Sequence, residues 1–292
     1  MKRRALTVGS LFTGIGGMDL GFERAGMKTI WMCERDRSCV KLLNEKWKGV
    51  PIYNDVNDLL KPETIVPKVD VLIGGDPCPS HSIAKGGKQS AHPDLSGHFL
   101  AVAGRLAPRW VVRENVPSPD VDHFATALES IGYHVRIVWI NAAALTSQNR
   151  EREFVVGCTD SKTLEEALCI TECYTKSYSE IRSGQDATSC ILASSSDSCI
   201  RETHIWEPSR GIRGFTVEER ESLAGFPTGW TSGFSDAIRK RMLGNAVVPE
   251  VAKKIAVRIV SASANIKSWP KLDSAAGILR ILGRKLPLWS DL

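Results

Sequence analysis

Leu6-Thr7-Val8-Gly9-Ser10-Leu11-Phe12-Thr13-Gly14-Ile15-Gly16-Gly17 runs from a short β-rich apolar stretch through a glycine turn into the start of a helix. A strand that feeds a helix through a tight turn is the first half of a βαβ unit. The pattern repeats from Ala5 to Gly157. Strands are expected near Leu6 to Phe12, Thr29 to Glu34, Val69 to Ile73, Trp110 to Arg113, His134 to Ile140 and Phe154 to Gly157, with helices over Asp36 to Trp47, Gly97 to Leu106 and Asp120 to Gly132. Alternation of this kind predicts an α/β fold, a doubly wound, mostly parallel sheet. Sites in such sheets lie beyond the carboxyl ends of the strands, and the glycine turn, Glu34, Asp55, Cys78 and Glu114 all fall there.

Past Gly157 the periodicity fades into about fifty residues rich in Ser, Thr and Cys, read as a small inserted domain or long loop system. Regular structure resumes at Thr216-Val217-Glu218-Glu219, a capping box opening a helix to Leu223, with Gly225-Phe226-Pro227 as its stop. A last helix, Glu250 to Ser261, carries an apolar stripe of Val251, Ile255 and Ile259. The resulting division is 1–157 for the sheet domain, 158–230 for the small region and 231–292 for a segment returning to the sheet.

The 292 residues can bury a large core, and a formal charge of +5 is compatible with a polyanionic partner without demanding one. Eight scattered cysteines form no ligand spacing or disulfide framework, so no metal is expected and a reducing cytosol is the expected compartment. No apolar run is long enough to span a bilayer.

Several segments carry chemistry. A dinucleotide fingerprint would put its third glycine at position 19, which is Asp19, while Glu34 closes the next strand ~20 residues after Gly14, where an acid takes ribose hydroxyls. The combination suggests a nucleoside cofactor without a pyrophosphate, such as S-adenosylmethionine; a purely structural βα turn is the alternative. Asp55-Val56 offers an acceptor for an adenine amino group, or only a cap before Asn57. Cys78, in Gly74-Gly75-Asp76-Pro77-Cys78-Pro79-Ser80, is held in a turn that two prolines stiffen, which suits a nucleophile better than a core filler. Glu114, in Glu114-Asn115-Val116, ends another strand. Arg150 and Arg152 alternate in Gln148-Asn149-Arg150-Glu151-Arg152 and so share one side of an extended segment. A thiol, a carboxylate and guanidiniums together suit covalent attack on a polar planar ring, and cytosine is such a ring.

In this order, Phe12-x-Gly14-x-Gly16-Gly17, Pro77-Cys78, Glu114-Asn115-Val116, Gln148-x-Arg150-x-Arg152, Arg213-x-x-Thr216-x-x-Glu219 and Gly244-Asn245-Ala246-Val247-x-Pro249 resemble the motifs of the C5-cytosine DNA methyltransferase family over roughly residues 8 to 260. The resemblance implies a Rossmann-like S-adenosylmethionine-dependent methyltransferase with a small irregular target-recognition domain. It implies that Phe12, Gly14, Ile15, Gly16, Gly17, Glu34, Arg35, Asp55, Val56, Asp76, Pro77, Asn245 and Ala246 line the cofactor, whose product is S-adenosylhomocysteine. It further implies that Cys78 attacks C6, that Glu114 with Arg150 and Arg152 holds the base, and that the base is flipped out of duplex DNA. A monomer acting in a bacterial or phage-infected cytosol, paired with a cognate restriction endonuclease, is the matching biological setting.

Two departures stand out. Ser10 occupies a position where the family usually has Asp, which removes one cofactor contact, and Asp76 and Pro79 flank the Pro77-Cys78 pair in place of the usual Pro and Gln. The loop from Ser80 to Pro93, with Lys85, Lys88 and His92, reads as a basic lid. Methylation of RNA, and an inactive cofactor-binding regulator, are the alternative functions.

Overall fold

The computed structural model describes residues 4–77, 94–168, 190–191, 204–209 and 211–264. Cys78, the expected lid, most of the insert and the end of the returning segment, 265–292, lie outside the described residues.

The main sheet is built from β1 (Thr7–Leu11), β2 (Lys28–Cys33), β3 (Ile52–Tyr53), β4 (Val71–Gly74), β5 (Trp110–Asn115), β6 (His134–Asn141) and β7 (Glu151–Cys158). The order is β3-β2-β1-β4-β5-β7-β6. The doubly wound expectation holds, with one refinement: β7 enters antiparallel between β5 and β6. Strand side chains alternate cleanly between two cores. Val8, Val71, Ile73, Trp110, Val112, Phe154 and Val156 face one, and Leu11, Leu72, Val111 and Val155 the other.

On the first face lie α1 (Gly17–Arg24), α5 (Ser161–Leu168) and α8 (Pro249–Ser263); on the second, α3 (Ser96–Leu106), α4 (Pro119–Ser130) and a 3₁₀ turn at Val56–Leu60. A further core joins α2 (Arg37–Lys46), α6 (Val217–Leu223) and α7 (Asp236–Asn245) around Ile15, Leu42, Phe226 and Met242. A separate hairpin pairs β8 (Ile205–Glu207) with β9 (Gly211–Arg213).

Local chemistry sets the helix starts. Asp36 caps α2 by accepting from the Ser38 and Cys39 amides, Pro119 sits in the first turn of α4, and Thr216 and Glu219 close the expected capping box at α6. The apolar stripe read over Glu250 to Ser261 is the buried face of α8.

Ser10 takes a role that the sequence reading did not give it. It is 1 % exposed and donates to Asp19 Oδ2 at 3.0 Å, while Thr13 Oγ1 donates to Ser10 Oγ at 3.0 Å and Thr29 Oγ1 reaches Asp19 Oδ1 at 3.3 Å. Ser10 therefore braces the glycine turn from beneath. Burial pushes the Asp19 carboxyl up to about 7, against the pull of the Ser10 hydrogen bond. The folded state then holds a proton that the unfolded chain releases near pH 4. Asp19 thus takes away stability as pH rises from about 4 to about 7, by at most about 4 kcal/mol. Asp19→Asn is expected to gain on the wild type across that window. Urea titrations at pH 5 and pH 8 check it: an unchanged gap between the two proteins would contradict the assignment.

Candidate active site

Register places the site. Across the sheet Tyr53, Cys33, Leu11, Gly74 and Arg113 lie side by side. One residue further along each parallel strand, Asn54, Glu34, Phe12, Gly75 and Glu114 line the carboxyl edge. The order reverses between β1 and β4, so the crevice at such a switch point opens between Phe12 and Gly75.

On the β5 side of that crevice, Glu114 is 8 % exposed and its Oε1 lies 2.9 Å from Arg152 Nε. Arg152 is brought there by β7, whose antiparallel course returns its first residues to the carboxyl edge. A Cβ built on Gly75 would stand 2.9 Å from Glu114 Oε2. Gly75→Ala therefore has a clear expected outcome. The carboxylate, as the end of a side chain, can yield without unfolding the protein, but it must leave its present place. Methyl transfer should fall about 10²-fold while the melting temperature changes little; full activity in the alanine variant would show that this carboxylate position is not needed.

Asp76 differs from its expected role at the cofactor. Both of its oxygens are held by Arg113, Nε to Oδ1 at 2.5 Å and Nη2 to Oδ2 at 2.7 Å, with both side chains at most 1 % exposed. Sequence reading passed over Arg113. The available signal was a charge inside the apolar run Trp110-Val111-Val112, matched by an acid after two glycines.

At the β1–β3 side, Gly14 has φ +58° and nothing within 4 Å of where a Cβ would be, so its backbone borders open space. Phe12, also left-handed at φ 52°, turns its half-buried ring toward Phe99. A non-glycine residue held in that region is strained, a feature that gathers at ligand sites. Glu34 accepts from the Gly14 amide at 2.7 Å through Oε2 and from the Asp36 amide at 2.7 Å through Oε1. Burial raises its carboxyl above the ordinary value, while those amides lower it.

This arrangement tests the fit of the cofactor. The Thr13, Gly14 and Gly16 amides are bonded to Cys33 O, Glu34 and Thr13 O, so a carboxylate stands where a pyrophosphate cradle would need free N–H groups. A phosphate there would be repelled, whereas ribose hydroxyls can donate to the lone pairs Glu34 has left. The residues fit S-adenosylmethionine and do not fit a dinucleotide.

Other expected contacts are more modest. Asp55 caps the 3₁₀ turn through the Asn57 amide at 2.9 Å, Val56 is buried in the core, Arg35 and Pro77 are exposed, and the Ile15 side chain packs in the α2–α7 core. Gly16 and Gly17 serve by letting other groups approach: the Trp47 ring at Gly16 and Val247 O at Gly17. That second approach lays the end of α7 and the segment after it, with exposed Asn245 and buried Ala246, against the glycine turn. Arg150, expected beside the base, is spent on this packing instead. Its Nη2 donates to Gly244 O at 3.1 Å and its Nη1 to Cys190 Sγ at 3.3 Å, and burial, followed by Arg152's charge, lowers its pKa.

Burial pushes the thiols of Cys33 and Cys158 up to about 12 and that of Cys39 further still, so none of the three ionises near neutrality. Among the described residues no group of three or more His, Cys, Asp or Glu could hold a metal, and no helix is long and apolar enough to cross a membrane.

The family model for C-5 cytosine-specific DNA methylases matches residues 6–187 and 170–261. Type II methyltransferase M.Bsp6I of Bacillus sp. (strain RFL6) is 35% identical over 52% of this chain and 52% of its own length. Type II methyltransferase M.FnuDI of Fusobacterium nucleatum is 34% identical over 51% and 45%. The chain thus spans about half the length of these two curated relatives. Type II methyltransferase M2.BsuMI of Bacillus subtilis (strain 168) is 23% identical over 91% of this chain and 80% of its own. Among solved structures, the Entamoeba histolytica methyltransferase EhMeth superposes with a TM-score of 0.64 at 16% identity, covering 89% of this chain and 99% of that one. The S. pombe Dnmt2 methyltransferase gives 0.63 at 14%, covering 89% and 100%. At such identities these two likenesses speak for the fold alone.

Proposed function

We propose that the chain, which belongs to the C-5 cytosine-specific DNA methylase family, transfers a methyl group from S-adenosylmethionine to C5 of a flipped-out cytosine in duplex DNA. The observation that carries this reading is the Glu114–Arg152 pair at the carboxyl edge, packed against Gly75 three residues before Cys78.

Each residue then has a task. The thiolate of Cys78 adds to C6, and the electrons of the C5–C6 double bond move to make C5 nucleophilic. Glu114 hydrogen-bonds N3 and the exocyclic amine, which makes C6 more electrophilic, and Arg152 supplies positive charge toward O2 as negative charge develops there. The bound cofactor supplies an electrophilic methyl group to C5. Loss of the C5 proton to a water molecule acting as base, with expulsion of Cys78 as the thiolate, then restores the ring. Glu34 and the open backbone at Gly14 would hold the ribose side of the cofactor, Phe12 would pack against it, and Asp55 would serve its adenine. Glu114 and Arg152 are partly buried in the crevice, so the base must leave the helix to meet them.

The region 158–230 fits the target-recognition element, and a bacterial or phage origin with a partner endonuclease fits a modification enzyme of this size. The test is transfer of labelled methyl to duplex DNA and, in parallel, to tRNA, with the modified nucleoside identified by mass spectrometry. The proposal expects 5-methylcytosine in DNA; methylation of tRNA alone would replace the substrate, and transfer to neither would support the inactive regulator.

A further inference from the structure

The geometry points to Arg113 and Asp76 as a pair of positioning residues that fix the Cys78-bearing loop against the end of β5, an assignment that rests on the function proposed above. Asp76 is joined to β5 in three places. Arg113 gives it two parallel charge-assisted hydrogen bonds, and Asn115 Nδ2 donates to its backbone oxygen at 3.4 Å. Asn115 in turn accepts from the Val116 amide at 2.8 Å, so the strap is tied to the turn that follows Glu114. On the other side, Gly75 lies against the Glu114 carboxylate itself. The residues immediately before Cys78 and the residue that would grip the base are thus held in one frame.

Arg113 would not touch the base. It alternates with Glu114 along β5 and points to the opposite face of the sheet, with its guanidinium carbon 4.3 Å from the centre of the Phe124 ring of α4. Its effect must pass through Asp76.

Stability alone is a poor reason for such a pair. Removing two charges from water costs as much as their attraction returns, and apolar residues of similar volume commonly serve as well or better. Arg113 Nη1 is also buried without a partner among the described residues, a further cost that packing alone would avoid. What the pair offers is direction: a planar fork on a carboxylate fixes the loop along two lines, which an apolar contact cannot do.

The test compares the full-length wild type with Arg113→Lys, with Asp76→Asn and with the double variant Arg113→Met/Asp76→Leu, which replaces the ion pair by an apolar one. Steady-state kinetics would be read beside the melting temperature and the hydrogen exchange of the amides at Gly75 and Asp76. The expected result for the double variant is a melting temperature no lower than wild type, a kcat reduced about 10²-fold, and KM values for S-adenosylmethionine and DNA within about 3-fold. The two amides should exchange at least about 10-fold faster. Arg113→Lys, which keeps the charge but not the fork, should recover only part of kcat. A folded double variant with wild-type kcat would overturn the proposal. So would a loss of kcat with unaltered exchange. A wild type that methylates no nucleic acid, with exchange still faster in the double variant, would instead sink the function proposed above and leave the strap standing.

Discussion

Glu114→Gln is expected to lower the single-turnover rate of methyl transfer by about 10³-fold while leaving S-adenosylmethionine affinity within about 3-fold. Glutamine keeps the shape and one acceptor of the side chain, so the fold and the Gly75 contact survive. What disappears is the ionisable oxygen. Arg152, 2.9 Å from Oε1 and 19 % exposed, loses its counter-ion, and N3 of the base loses a carboxyl group able to share or give a proton as C6 is attacked. The residues proposed to hold the cofactor lie on the β1–β3 side of the crevice, away from Glu114, so binding and chemistry should separate in this variant. Rapid-quench measurements with saturating cofactor and DNA would show it; a rate within 3-fold of wild type would remove Glu114 from the reaction.

Gly17→Ala should be the most damaging small substitution for the fold. An added Cβ would lie 2.1 Å from Val247 O and 3.2 Å from the Phe226 ring, and the first of these is backbone. One turn later a Cβ added at Gly21 would stand 2.4 Å from Pro249 O and 2.6 Å from the Ala252 Cβ, so α1 lies directly on the start of α8 along a glycine face with little room to adjust. The methyl group must push the whole segment from Ala246 to Pro249 outward. A loss of about 3 kcal/mol is expected in urea unfolding. Weaker S-adenosylmethionine binding by calorimetry should accompany it, since Asn245 and Ala246 move with that segment. Wild-type stability in this variant would mean that the contact between α1 and the 244–249 turn is looser than the structure describes.

Much of this architecture is legible in the sequence alone. The strands, the glycine turn, the capping box at Thr216 and the apolar stripe of α8 follow from local patterns, and they recur where periodicity placed them. The carboxyl-edge cluster was legible for the same reason, because Glu34 and Glu114 each close an apolar run. Non-local pairing was not legible. Nothing near Glu151 tells that β7 turns back between β5 and β6, yet that course is what brings Arg152 to Glu114. Arg150 shares its motif with Arg152 and looked equivalent, but its direction depends on Gly244, 94 residues away. Ser10 looked like a missing cofactor contact because its partner, Asp19, lies on the far side of the glycine turn. The helix α7 escaped because Arg239, Lys240, Arg241 and Gly244 interrupt its apolar face.

Covalent attack by Cys78 is tested by trapping the protein on DNA. In a duplex carrying 5-fluorocytosine, the methylated adduct holds fluorine where the departing proton should be, so elimination of the thiolate is blocked and the enzyme stays bound. A denaturation-resistant complex should form only with S-adenosylmethionine present, be absent in Cys78→Ala, and map by peptide mass spectrometry to Cys78. A wild-type protein that converts cytosine to 5-methylcytosine yet forms no such complex, or one whose cross-link maps to another residue, would contradict it.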